Sequence, residues 1–131
     1  MGFGYWVVEE KLTGRFAGEV GFADWKREIT PSFHGIPELG WVFAPRVHGQ
    51  GYATEAARAA ITWAAWRFAP SHSPEDFAGP SRPRAPKLSS ARMVCIIDPE
   101  NARSIRVAEK CGFQEVLRTS YKGEPTILFA Q

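Results

Sequence analysis

The sequence has few cysteines, and they are not arranged as a metal site or a disulfide framework. Only Cys95 and Cys111 are present, they form no CxxC pair, and no histidine stands near them at metal-ligand spacing. A zinc site or a disulfide scaffold is therefore not expected. We predict two free, buried thiols, which is the usual state of cysteine in a reducing cytoplasm.

Long apolar runs and a strong excess of one charge are also missing. No segment approaches the roughly 20 apolar residues that a membrane-spanning helix needs. Glu9, Glu10 and Lys11 interrupt the N-terminal stretch where a secretion signal would be apolar. Sixteen basic and fourteen acidic residues give a net charge of +2, too small a surplus to indicate nucleic acid. We expect a cytoplasmic protein with neither membrane nor nucleic-acid partners.

The residues that are present suffice for one domain. The chain has 131 residues, 44% of them apolar, which is enough for one hydrophobic core and not for two. Residues 70–90 contain five prolines and five serines, which excludes a helix or a central strand there. We therefore predict a single domain over residues 1–131 with a mobile insertion at 70–90.

Apolar periodicity and turn residues predict elements in the order β-β-β-α-β-α-β-β. The helix at 52–68 has many alanines at helical spacing, among them Ala57, Ala60, Ala64 and Ala65, which indicates close packing on a sheet. Hairpins at both ends and crossovers in the middle indicate an α/β (α+β) fold with a mixed, mostly antiparallel sheet and two crossover helices. The strands are predicted at 3–10, 16–25, 38–43, 92–97, 113–121 and 125–130, and the second helix at 101–111.

The most informative stretch is residues 44–55, where a strand ends, Gly49 and Gly51 follow, and a helix begins. Unpaired N–H groups and the helix dipole favour an anion at such a junction, and glycine lets a phosphate approach the backbone. Arg46 or His48 would add positive charge. The Walker loop is excluded because no lysine follows the last glycine, and the dinucleotide fingerprint because a third glycine is missing. Taken alone, the pattern fits a plain tight turn equally well.

Two motifs follow one another along the chain. Residues 46–51 read RVHGQG, and residues 101–113 read NARSIRVAEKCGF. Together they resemble the (Q/R)-x-x-G-x-(G/A) loop and the N-x-x-S-x-x-(V/L)-x-E-K-x-G-F segment of the GNAT superfamily of acetyl-CoA-dependent N-acetyltransferases. The variant is similar to the branch that includes the ribosomal-protein and other protein N-terminal acetyltransferases. The likeness runs from about residue 3 to 130 and extends to ELGW at 38–41, GYATEA at 51–56 and TILF at 126–129.

The resemblance implies an acyl-CoA N-acyltransferase-like fold that is N-terminally truncated. In the family, a strand and two helices precede the strand assigned to residues 3–10, and the helices form one wall of the acceptor groove. Their absence implies a largely complete cofactor half and an incomplete acceptor half. It also leaves a sheet edge exposed, so we expect a homodimer or a swapped element to cover that edge, or else a chain that behaves poorly alone.

The resemblance further implies a site for acetyl-CoA. The pantetheine arm would lie where strand 38–43 splays from strand 92–97, with the pyrophosphate on the loop amides and Asn101 bonded to the arm, since an amide both donates and accepts. Arg103 and Arg106 would reach the adenosine-side phosphates, although exposed arginines on a helix face are the simpler interpretation. The implied cofactor-binding residues are Trp41, Val42, Phe43, Arg46, Val47, His48, Gly49, Gln50, Gly51, Tyr52, Ala53, Asn101, Arg103, Ser104 and Arg106.

For the chemistry, the resemblance implies direct attack of a neutral amine on the thioester, without a metal. Such a reaction needs a proton acceptor for the amine, an oxyanion donor and a donor for the leaving thiolate. Glu38 is the predicted base, acting directly or through one water, and Glu19 is the runner-up. Main-chain N–H groups at Trp41 and Val42 would stabilise the oxyanion.

The donor to the thiolate departs from the family pattern, because Ala108 stands where many members carry a tyrosine. Ser104 is the substitute implied by the serine-containing branch, and its alternative role is a local hydrogen bond in the first helical turn. Tyr121 is a further candidate.

The expected function is therefore acetyl transfer from acetyl-CoA to a primary amine on a small molecule or a protein N-terminus. The alternative is a non-catalytic CoA-binding module or truncated remnant, because the acceptor wall and the tyrosine are missing. A nucleotide-binding protein unrelated to coenzyme A is a distant third interpretation.

Overall fold

The structure, a computed structural model, describes residues 4–23, 35–67 and 91–131. The predicted insertion at 70–90 lies outside these residues. The described elements follow the predicted order, and a short 3-10 turn at Pro45–Val47 is added before the first helix. They are β1 (Tyr5–Glu9), β2 (Phe16–Ala23), β3 (Glu38–Phe43), α1 (Tyr52–Arg67), β4 (Val94–Ile97), α2 (Ala102–Lys110), β5 (Gln114–Tyr121) and β6 (Glu124–Ala130).

The six strands form one sheet in the order β1-β2-β3-β4-β6-β5. Every neighbouring pair is antiparallel except β3 and β4, which are parallel. Parallel neighbours need a crossover, and α1 supplies it here. The mixed, mostly antiparallel sheet of the prediction is confirmed.

The parallel pair separates almost at once. Glu38 pairs with Val94, and this is the only register pair between β3 and β4. The Val94 N–H donates to the Pro37 carbonyl oxygen at 3.0 Å. Beyond that point β4 stays paired with β6 on its other side, and β3 with β2. The sheet therefore opens into a gap along the rest of β3.

The main core lies between the sheet and its two helices. Ala57, Ala60 and Ala64 of α1 are buried and belong to the same cluster as Val20 and Phe22 of β2. Small side chains let the helix lie close to the strands, as the alanine content predicted. Ala65 is exposed, so its predicted place on the stripe was wrong, because one residue further turns about 100° around a helix.

Two predicted turns are present where the chain needs a left-handed backbone. Lys122 and Gly123, between β5 and β6, have φ of +51° and +79°, the conformation of a tight hairpin turn. Gly112 follows α2 with φ of +90° and ends that helix. In the ranges that the structure describes, no helix is both long and apolar enough to span a bilayer.

Candidate functional site

A cleft of about 440 Å³ opens where β3 leaves β4 and α2 faces the start of α1. It brings together segments that are more than forty residues apart in the sequence. Thirteen of the fifteen predicted cofactor-binding residues line it, all except Arg46 and Gln50. Thr54, Val107 and Lys110 complete the lining.

The glycine loop forms one end of the cleft. Gly49 and Gly51 have φ of +78° and +80°, and no atom lies within 4 Å of the position a Cβ would take at either residue. The 16-residue α1 begins directly afterwards at Tyr52. The first amides of a helix have no partner within it and carry a partial positive charge. The loop therefore presents donors to an anion in the cleft.

Arg46 and Gln50 support this loop from outside the cleft. The Arg46 guanidinium forms an ion pair with Glu10 and donates to the Phe16 carbonyl oxygen. The hydrogen bond from Arg46 is the main reason that the pKa of Glu10 is lowered. The Gln50 side chain donates to the Arg46 carbonyl oxygen at 3.1 Å. The sequence alone does not predict that the Arg46 side chain turns away from the cleft, because its partners Glu10 and Phe16 belong to the β1–β2 hairpin.

His48 and Arg103 join the two sides of the cleft. The Arg103 guanidinium donates to His48 Nδ1 at 2.9 Å, and His48 Nε2 lies 3.0 Å from the Phe43 carbonyl oxygen. Because guanidinium only donates and the carbonyl only accepts, we assign the neutral tautomer with its proton on Nε2. Arg103, Arg106 and Lys110 give the cleft three fixed positive charges, and no acidic residue is among its described lining.

The start of α2 is fixed by a short chain of hydrogen bonds. Asn101 caps the helix, with its Oδ1 accepting from the Ser104 N–H at 3.1 Å. The Ser104 hydroxyl oxygen in turn accepts from Trp41 Nε1 at 3.3 Å. One acceptor of Asn101 is thus used by the helix, while its NH₂ group keeps two donors.

Comparison with known proteins decides the family. Residues 1–114 match the model of the acetyltransferase (GNAT) domain. The chain belongs to the GNAT acetyltransferase family. It is 35% identical over 111 residues to YkkB of Bacillus subtilis, a relation that covers 85% of this chain and 51% of that protein.

Solved structures of GNAT proteins share the fold. A GNAT-family acetyltransferase of Bordetella pertussis matches with a TM-score of 0.72 and 25% identity, over 98% of this chain and 65% of the other. YncA of Salmonella typhimurium, solved with its cofactor acetyl-CoA, matches with a TM-score of 0.65 and 20% identity, over 99% and 64%. This GNAT chain therefore spans between half and two thirds of the length of these proteins.

Glu38 lies where the gap between β3 and β4 closes, and it does not line the cleft. It is 3% exposed, at the one residue of β3 that still pairs with β4. Glu19 is exposed on β2, opposite Val42 of β3. Ala108 is fully buried, so its position offers neither a hydrogen-bond donor nor access to solvent. Tyr121, the further candidate donor to the thiolate besides Ser104, is half-buried at the end of β5.

Both cysteines are free thiols, as predicted. Cys95 is buried, but Cys111 is only half-buried, so the prediction that both are buried was wrong for Cys111. Burial is the main cause that raises the pKa of each thiol, and the Glu38 carboxylate raises that of Cys95 further. Thiols of raised pKa are poor nucleophiles. Neither cysteine is therefore a candidate for covalent catalysis.

Sequence reasoning missed two features of the GNAT chain. Lys110 lines the cleft, and the spacing of 103, 106 and 110 would have indicated it, since such residues share one helix face. A second, apolar pocket of about 680 Å³ lies between β1 and α1. Its walls include Trp6 and Trp63, whose rings meet edge to face at 4.9 Å.

Proposed function

We propose that this chain is an N-acetyltransferase that moves acetyl from acetyl-CoA to a primary amine. The observation that carries the proposal is the gap between β3 and β4, which leads to a glycine loop at the start of α1. An elongated thioester with a phosphate-rich end matches that shape and charge. The membership in the GNAT family supports the same activity.

In this proposal the cofactor lies along the cleft. The pantetheine amides pair with main-chain groups of Trp41 and Phe43, because alternation along β3 turns these groups to the gap and those of Val42 to Glu19 of β2. The pyrophosphate lies on the amides around Gly49 and Gly51. The positive side chains of α2 face the adenosine-side phosphates.

The reaction is a direct transfer. The amine nitrogen attacks the thioester carbonyl carbon, and Glu38, which lies outside the cleft lining, takes the amine proton through one water. The main-chain N–H of Trp41 stabilises the oxyanion, since that of Val42 faces β2. The carbon–sulfur bond then breaks, and the thiolate leaves with its electron pair. The Ser104 hydroxyl donates a hydrogen bond to that sulfur.

The acceptor is an amine of a small molecule or a protein N-terminus, and the likeness to protein N-terminal acetyltransferases supports the second. We also place the reaction in the cytoplasm, since two free thiols suit a reducing compartment.

The first test is calorimetric titration of acetyl-CoA into the purified chain, with ATP as the matched control. We expect acetyl-CoA to bind in the micromolar range and ATP not to bind, because only the former has a pantetheine arm for the gap. A screen of amines, including peptide N-termini, then measures turnover.

A folded chain that binds ATP and not acetyl-CoA would contradict the cofactor assignment. Binding without turnover on any amine would favour the non-catalytic module, an alternative that the buried Ala108 also supports.

Self-association through β1 is part of the proposal. β1 lies at the edge of the sheet that the described residues form, and β1 and the neighbouring turn carry several exposed apolar residues. Val7 is 60% exposed and Leu12 99%. The Phe22 N–H donates to the Gly4 carbonyl oxygen, so by antiparallel alternation Val7 directs its main-chain N–H and C=O groups away from β2. A second copy related by a two-fold axis at Val7 satisfies these groups and places Trp6 opposite Val8.

We therefore expect the chain to sediment as a dimer and the Val7→Lys variant as a monomer. A lysine on an edge strand opposes strand pairing because its charge loses water in the interface. Ser120→Lys is the matched control, since Ser120 is exposed on β5, the opposite edge. A monomeric parent chain, or dissociation by Ser120→Lys and not by Val7→Lys, would rule out this interface.

A further inference from the structure

Trp41 connects the two walls of the cleft. It lies on β3, half-buried against the main core, and its indole nitrogen is 3.3 Å from the hydroxyl oxygen of Ser104 on α2. The two residues are 63 positions apart in the sequence, so only the folded chain brings them together. Both line the cleft.

The direction of this hydrogen bond decides what the Ser104 hydroxyl can do. An indole N–H only donates, so Ser104 Oγ accepts, and the proton of its own hydroxyl remains for another acceptor. A serine in the first turn of a helix otherwise turns its hydroxyl proton to a nearby backbone carbonyl. Meanwhile the Ser104 N–H is already held by Asn101 Oδ1 at 3.1 Å, so the backbone at Ser104 is fixed as well.

We propose that Trp41 is a positioning residue that orients the Ser104 hydroxyl toward the sulfur of the leaving group. The inference rests on the proposed function, in which Ser104 donates to the thiolate. As the carbon–sulfur bond breaks, the electron pair moves to sulfur and the Ser104 O–H shares its proton with it. The Trp41 N–H strengthens this donor, because a hydroxyl that accepts one hydrogen bond donates the next more strongly.

The test is a double-mutant cycle between Trp41→Phe and Ser104→Ala, read as kcat and KM for acetyl-CoA. Phenylalanine keeps an aromatic ring against the core and removes the N–H donor. Its smaller size affects both backgrounds alike, so the cycle separates lost packing from the lost hydrogen bond. We expect Trp41→Phe to lower kcat about 5- to 10-fold, the loss that one hydrogen bond accounts for, with little change in KM. In the Ser104→Ala background, Trp41→Phe should change kcat by less than about 2-fold. Ser104→Thr, which keeps the hydroxyl, should restore the dependence on Trp41.

Trp66→Phe is the matched control, since Trp66 is 84% exposed at the end of α1 and does not line the cleft. Equal effects of Trp41→Phe in both backgrounds would show a packing role and overturn the inference. So would a wild-type kcat in the single variant. Absence of turnover in the parent chain, by contrast, refutes the proposed function itself.

A second measurement does not depend on turnover. The indole N–H resonance of Trp41, assigned as the one that Trp41→Phe removes, should move when coenzyme A is added. In Ser104→Ala the free-protein resonance should already be displaced, and coenzyme A should move it less. An indole resonance that Ser104→Ala leaves in place would exclude the hydrogen bond and with it the inference.

Discussion

Glu38→Gln is expected to lower kcat by about 10²- to 10⁴-fold, the range in which a general base contributes. Glutamine has nearly the shape of glutamate and retains hydrogen-bonding atoms, but it cannot accept the proton of the attacking amine. Acetyl-CoA affinity should change little, because Glu38 does not line the cleft. Steady-state kinetics and calorimetry on the same preparation separate the two effects.

Glu19→Gln is the control for this prediction, since Glu19 is an exposed carboxylate on the neighbouring strand β2. It should retain most of the wild-type kcat. Loss of activity in Glu19→Gln together with normal activity in Glu38→Gln would reverse the assignment of the base. Thermal unfolding of both variants checks that the buried substitution at Glu38, which is 3% exposed, leaves the fold intact.

Gly51→Ala is expected to raise the Kd of acetyl-CoA by about 10- to 100-fold, because charged hydrogen bonds of about 1.5–3 kcal/mol would be lost. Gly51 has φ of +80°, so an alanine either strains the loop or changes its course. The new methyl group would enter open space, since no atom beyond the adjoining residues lies within 4 Å of its position, and Gly51 lines the cleft. That space is where the proposal places the pyrophosphate.

Gly123→Ala separates backbone strain from ligand contact. Gly123 lies in the β5–β6 hairpin and has nearly the same φ, +79°. It also has no atom within 4 Å of the position that an alanine Cβ would take. Both variants should lose about 1–2 kcal/mol of unfolding free energy, and only Gly51→Ala should lose affinity. Equal affinities for acetyl-CoA in the two variants would show that the loop does not hold the pyrophosphate.

Most of the fold could be predicted from local sequence. β3 has the predicted bounds, because Pro37 and Pro45 limit it on both sides. Within the described ranges, the other elements begin and end within one or two residues of the prediction, where capping and fraying decide the boundary. The predicted strand residues 3 and 24–25 and the predicted helix residue 68 lie outside those ranges. Ala65 shows the limit of apolar periodicity as a guide to burial, since alanine occurs on both the buried and the exposed faces of helices.

The cleft could be predicted only in part. The glycine loop and the start of α2 are continuous motifs, so the sequence identifies them directly. The partners of Arg46 and His48 are side chains and carbonyls on other elements, up to 55 residues away, and no local pattern encodes them. The contact between Trp41 and Ser104 also joins residues that are distant in the sequence, and so does the apolar pocket beside β1. Neither could be predicted from a local motif.

Because β3 and β4 separate after one residue pair, the side chains along β3 can be substituted without loss of the main-chain groups that face the gap. A ligand that takes the place of a missing sheet neighbour is recognised by peptide groups, and every residue except proline supplies the same peptide group. An exposed side chain on β3, such as Val42 at 71%, is then not needed to bind the cofactor. Under the proposed function, substitution of such side chains would change the choice of amine while the binding of acetyl-CoA is retained.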